Sequence, residues 1–138
     1  MSVAPTLLFR VGAMVYGCDI RDAQEIIALR PMTRLPGAPA FVRGLINLRG
    51  TIVTVLDLAV RLDPARAATT DGSILLVRHD ERLVGVVVEE VFDVRSLDID
   101  DAMGAASTTA IVRGVASFDG APVVVLDLDA MISQVLLA

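Results

Sequence analysis

The sequence predicts an all-β protein made from one duplicated unit, folded as two small barrels. Three observations carry that prediction. The stretch FVRGLINLRGTIVTVLDL at residues 41–58 returns as IVRGVASFDGAPVVVLDL at residues 111–128. Short runs of Val, Ile and Leu recur along the chain, separated by Gly and Asp turn signals. Hydrophobic residues make up 54% of the 138, yet the unbroken aliphatic runs reach only about five or six residues, far from the roughly 18 that a membrane helix needs.

The repeat organises the chain. With residues 41–62 set against 111–132, nine of 22 positions are identical, among them Arg43/Arg113, Gly44/Gly114, Gly50/Gly120, Val53/Val123, Val55/Val125 and Asp57/Asp127. The front halves echo more faintly, LLFRVGAMVYGCDI from Leu7 against LLVRHDERLVGVVV from Leu75. The whole therefore reads as a single domain, 1–138, with pseudo-repeat units at about 6–62 and 73–132.

The spacing predicts strands near 6–11, 14–19, 25–30, 42–48 and 51–56 in the first unit. In the second it predicts 73–79, 82–88, 90–97, 111–118 and 121–126. Gly12, Asp80-Glu81, Gly50 and Asp119-Gly120 stand where hairpins turn, and Asp-Gly tolerates the positive φ that tight hairpins require. Five short strands per repeat suit a small closed barrel, which leaves no exposed edge. Asp57 and Asp127 follow the last strand of each repeat and can cap a short helix and a longer C-terminal one. Residues 63–72 and 99–110 read as loops. Asp22-Ala23-Gln24-Glu25 fits a capping box, while Ile26, Ile27 and Leu29 fit a strand equally well.

Composition excludes several functions. The net charge of −5 opposes binding of phosphate backbones, which relies on concentrated positive charge, so no nucleic-acid partner is expected. The twelve basic residues are all Arg. Genome composition accounts for that, and Arg also suits bidentate contacts with carboxylates. No basic-then-apolar leader is visible, which points to the cytoplasm without membrane insertion. Cys18 stands alone and reads as a small buried apolar residue.

Catalytic constellations are missing. The one histidine, His79, lies between Arg78 and Asp80 at a hairpin end and reads as an exposed turn residue. His79 and Cys18 are too few for zinc. Asp98, Asp100 and Asp101 lack the Gly and distal Glu of a calcium loop. Arg-Gly at 43–44, 49–50 and 113–114 reads as turn punctuation, not a nucleotide cradle. No enzyme activity, cofactor or metal is expected, and binding becomes the leading class.

LPGAPAFVRGLINLRGTIVTVLDL, with YGCDIRDAQEII before it and LVGVVVEEVFDV after it, resembles the CheW-like domain, the adaptor module of bacterial chemotaxis. The residues that carry the resemblance are Tyr16, Gly17, Ile20, Glu25, Ile26, Leu35, Pro36, Gly44, Asn47, Leu48, Arg49, Gly50, Val53, Val55, Asp57 and Leu58. Thr54 departs from the proline that the family often has there. The resemblance implies two five-stranded SH3-like barrels joined by an apolar core. It implies an adaptor, without enzymatic activity, that bridges a chemoreceptor's cytoplasmic tip and the regulatory domain of a histidine kinase at receptor–kinase arrays.

The two copies differ at Arg49, which stands where the second has Asp119. On spacing alone, an Arg at a turn tip is either an idle surface residue or a fork of donors for a partner. The resemblance favours a binding or site-shaping role. It also places Glu25 near a receptor-binding groove, with Ala23 and Ile26 beside it, and adds Asn47 to the partner-binding set. Glu25 and Arg49 have opposite charges and are candidates to pair with each other. Two rivals stand beside this reading. One is the same domain cut from a larger kinase or a receiver-fused adaptor. The other is a small hydrolase or ligand-binding barrel that uses His79.

Overall fold

A computed structural model describes residues 2–101 and 111–136. It contains ten strands: β1 Ser2–Val11, β2 Met14–Asp19, β3 Ala23–Ala28, β4 Val42–Leu48, β5 Thr51–Asp57, β6 Ser73–His79, β7 Arg82–Val88, β8 Glu90–Ile99, β9 Val112–Phe118 and β10 Ala121–Leu126. Helix α1 covers Leu58–Leu62 and α2 covers Leu128–Leu136. The all-β expectation and its ten strands are borne out. The ambiguous segment after Asp22 is strand β3, entered from a 3-10 turn at Ile20–Asp22. Of the expected loop 99–110, residues 102–110 lie outside the described residues.

The strands form two curled five-stranded sheets, in the orders β8-β1-β2-β10-β9 and β3-β6-β7-β5-β4. Each sheet belongs to one compact unit, residues 1–22 with 91–138 in the first and 23–90 in the second. These units are not the sequence repeats. Each takes the opening hairpin of one repeat and the last three strands of the other. One physical reason is the single residue, Glu89, between β7 and β8. A hairpin needs at least a two-residue loop, so β8 does not fold back on β7 and joins the other sheet.

Both sheets close in the same way. The parallel pairs are β5 with β7 (Val55 opposite Gly85) and β10 with β2 (Val125 opposite Gly17). The last gap is bridged by backbone: Thr33 with Leu45 at 2.8–2.9 Å in the second unit, Asp100 with Val115 at 2.9–3.1 Å in the first. Gly44 and Gly114 precede the bridged residues. A Cβ on Gly44 would run into the Thr33 carbonyl, and one on Gly114 would lie 2.6 Å from the Asp100 oxygen. This corrects the turn reading of Arg43-Gly44 and Arg113-Gly114. They lie inside β4 and β9, and their glycines let the closing backbone pass; only 49–50 is a turn.

Each unit has its own core. In the second, Val53 and Val55 pack with Ile46, Leu48, Ile74, Leu76 and Val87. In the first, Val123 and Val125 occupy the matching positions with Leu8, Leu97, Ile99 and Ala116. All four valines are fully buried, as the repeat predicts. Cys18 is buried too. His79 departs from expectation: its side chain is 14% exposed, because it continues the β6 face of Leu75 and Val77, which is itself buried.

Candidate functional site

The site grows from one turn. β4 and β5 are joined by the two residues Arg49 and Gly50, at φ 51° and 87°. Asp119 and Gly120 repeat this geometry at 51° and 79°. Positive φ at both central residues is the turn that matches strand twist, and Arg accepts it less readily than Asp or Asn. Asn47, exposed on β4, stabilises the turn: its Oδ1 accepts the Gly50 N–H at 2.9 Å.

From this tip the Arg49 guanidinium reaches β3 at the other end of the same sheet. Nη2 donates to Glu25 Oε1 at 2.6 Å and Nη1 to Oε2 at 3.3 Å. The anticipated pairing of these two residues is therefore present. Glu25 follows a register shift in β3 and shares a face with Ile27, which packs on the core of this unit. The ion pair thus links the two edge strands of the sheet, as the Thr33–Leu45 bridge does with backbone. It remains wet, with the side chains 66% (Arg49) and 41% (Glu25) exposed. The Arg49 hydrogen bond holds the Glu25 carboxyl below its ordinary range, and Glu25 in turn raises Arg49.

The other sequence candidates surround this pair unequally. Ile26 points to the opposite face of β3 and is 45% exposed, not a core residue. Ala23 is half-buried and pairs with Val77. Sequence reasoning missed Ile52, the cross-strand partner of Asn47, which is 62% exposed. The signal was available: with Val53 and Val55 inward, period-two alternation turns Ile52 outward, where a polar residue is usual. It also missed Thr69, whose N–H and hydroxyl both donate to the buried Asp57 carboxylate at 2.8 and 3.2 Å.

The matching turn in the first unit carries different chemistry. Beside Asp119, the Phe118 ring lies 5.9 Å from that of Phe92, and Arg95 sits 5.2 Å over Phe118 while its Nε donates to Asp93 at 2.8 Å. Among the described residues no group of three or more His, Cys, Asp or Glu could hold a metal ion. His79 Nε2 lies 3.7 Å from Asp80, whose side chain is 90% exposed. The chemistry on offer at the Glu25–Arg49 pair is directional hydrogen bonding at the edge of apolar surface, which suits recognition.

Comparison with known proteins bears on the family and the fold. The CheW-like domain family matches residues 5–136. The chain is 32% identical to the chemotaxis protein CheW of Rhizobium meliloti (strain 1021) over 131 residues, 91% of this chain and 84% of that one. It is 30% identical to the chemotaxis protein CheW of Klebsiella aerogenes over 134 residues, 93% of this chain and 81% of that one. The crystal structure of the scaffolding protein TtCheW from Thermoanaerobacter tengcongensis is similar at a TM-score of 0.81 and 28% identity, covering 93% of this chain and 86% of that one.

Proposed function

Because the chain belongs to the CheW-like domain family, we propose that it is a chemotaxis-type signalling adaptor. It joins the cytoplasmic tip of a chemoreceptor to the regulatory domain of a histidine kinase, in the cytoplasm at receptor–kinase arrays, by protein contact and without catalysis. Residues 1–138 act as one domain in this role. No described helix is long and apolar enough to cross a membrane.

The observation that supports the reading best is the bidentate Glu25–Arg49 pair at a turn where the repeats diverge. A receptor tip is a helical hairpin, and a surface that takes one combines apolar positions with a few polar anchors. Ile26 and Ile52 supply exposed apolar area in the same unit. Glu25, Asn47 and Arg49 supply the anchors, with Ala23 on the same strand as Glu25.

The test is reconstitution. Purified chain is mixed with receptor cytoplasmic fragments and kinase, and co-sedimentation and kinase activity are read. The chain should enter the complex and raise kinase activity, and His79→Ala should do the same. Failure of the folded chain to bind either partner, or loss of coupling in a folded His79→Ala variant, would overturn the proposal.

A further inference from the structure

The segment from Ile26 to Leu56 holds four arginines and no acid, in a chain whose net charge is −5. Two of the four are spent inside their own unit. Arg49 is held by Glu25, and Arg43 by Asp57. Arg30 leans on the Ala28 carbonyl at 3.3 Å. Arg34 is exposed and has no hydrogen-bond or ion-pair partner among the described residues.

Arg34 lines a cavity of about 330 Å³ in the second unit, at the lower end of the volumes that hold small organic ligands. Its apolar wall comes from Leu35, Pro39, Ala40, Val42 and Ala68, and its charged lining residues are Arg34 and Arg43. Among the described residues that line it, none is acidic. Arg43 uses Nη1 for both of its bonds, to Asp57 Oδ2 at 3.0 Å and to the Thr69 carbonyl at 2.6 Å. Its Nε–H and Nη2–H donors meet no acceptor among the described residues, and its side chain is 24% exposed.

The wall is preformed. The Ala38 N–H donates to Leu35 O at 3.3 Å, the Val42 N–H donates to Pro39 O at 3.0 Å, and the Thr33–Leu45 bridge fixes the segment from below. Pro36 and Pro39 restrict the loop further. Such a loop loses little freedom when a ligand enters.

We propose that this cavity is a binding site for a carboxylate with a short aliphatic tail. The carboxylate takes the fork of Arg34 and a spare donor of Arg43, and the tail lies on Leu35, Ala40 and Val42. Free aliphatic acids and the C-terminal carboxylate of an apolar peptide present this same chemistry. The site is independent of the adaptor reading, since it needs neither receptor nor kinase.

The experiment is an NMR titration of the full chain with hexanoate, hexanol, hexylamine and the peptide N-acetyl-Ala-Ala-Leu with a free C-terminus. Hexanoate should shift the amides of the non-proline residues in 34–42 and of residue 68 saturably, at millimolar or lower concentration. Hexanol should bind at least tenfold more weakly, and hexylamine should leave those amides unmoved. Tighter binding of the peptide than of hexanoate assigns the source to a protein terminus, and the reverse order assigns it to a free acid. Arg34→Gln, a change at an exposed side chain, should cost tenfold or more in hexanoate affinity, and Arg34→Lys should recover part of it. Unsaturable shifts, equal binding of hexanol, or unchanged affinity in Arg34→Gln would each overturn the site.

Discussion

Arg43 and Asp57 lie 14 residues apart in sequence and meet at 3.0 Å, Nη1 to Oδ2, with the Asp57 side chain wholly buried. Asp57 also accepts from the Ala59 and Val60 amides and from Thr69. One carboxylate therefore caps α1, anchors β4 and holds the loop before β6. Its counterpart Asp127 accepts the Ala130 amide at 2.9 Å, while Arg113 turns instead toward Asp19 at 3.7 Å.

That inequality predicts unequal costs. Asp57→Ala removes a cap and leaves a guanidinium without its buried partner, and should destabilise by about 3 kcal/mol or more. Asp127→Ala should lose little beyond a cap, about 1 kcal/mol. Urea unfolding of both variants decides the matter, and equal losses would contradict the assignment.

At the divergent turn, Arg49→Ala should shift the melting temperature by no more than about 2 °C, since exposed ion pairs add little stability. It should weaken assembly with receptor and kinase by roughly tenfold to a hundredfold. Glu25→Ala should act similarly, and the double variant should cost less than the two singles together. Arg49→Gly relieves the positive φ, so it should melt slightly higher while binding as poorly as Arg49→Ala. Asp119→Ala is the control, with small effects on assembly. If Arg49→Ala unfolds the chain while the remaining folded protein binds normally, the residue is structural.

The acidic limb of the stability curve should reveal Asp22. Burial, then Asp19, Asp127 and Asp129, raise its carboxyl above the ordinary value, with Arg21 opposing. A raised carboxyl holds its proton longer in the folded state than in the unfolded one. Its contribution is thus favourable at low pH and is lost as pH climbs from the unfolded to the folded pKa. Asp22→Asn should be more stable than the parent at pH 7, with the advantage shrinking below about pH 4. Glu25, lowered by Arg49, has the opposite sign: its contribution disappears as pH falls. Thermal melts of both variants across pH would expose a reversed order.

The Cys18 thiol is pushed up to about 12, first by burial and then by Asp22 and Asp19. An aromatic disulfide reagent at pH 8 should modify native protein only as fast as the fold opens. Labelling without denaturant as rapid as in urea would refute the burial.

Much of the fold was legible because strands and tight hairpins leave local signals. Val53 and Val55 alternate with Ile52 and Thr54, and Asp119-Gly120 marks a turn in two letters. The exchange of hairpins between units left no such mark. It rests on the parallel contacts of β5 with β7 and β10 with β2, which backbone groups make between residues about 30 and 108 positions apart. Gly44 looked like a turn because a glycine inside a strand, kept by a crossing carbonyl and a φ of 145°, and a glycine at a hairpin tip are the same letter. Arg49 was legible as a divergent position and Glu25 through the family resemblance, whereas the partial burial of His79 depended on both faces of β6 being covered.

The exchanged hairpins also set an order of birth. Residues 23–90 form a continuous compact unit, but the other unit needs residues 1–22, which come before it, and 91–138, which come after it. On a ribosome adding about 5–20 residues per second, the β1–β2 hairpin emerges first and waits several seconds for β8, β9 and β10. During that interval its strand edges have no partner, and Leu7, Leu8 and Phe9, all buried in the finished protein, face solvent. The second sheet can close while the nascent chain is still tethered. The first closes only once β10 has been made, so the β1–β2 hairpin, made before all of the second sheet, finds its place after it.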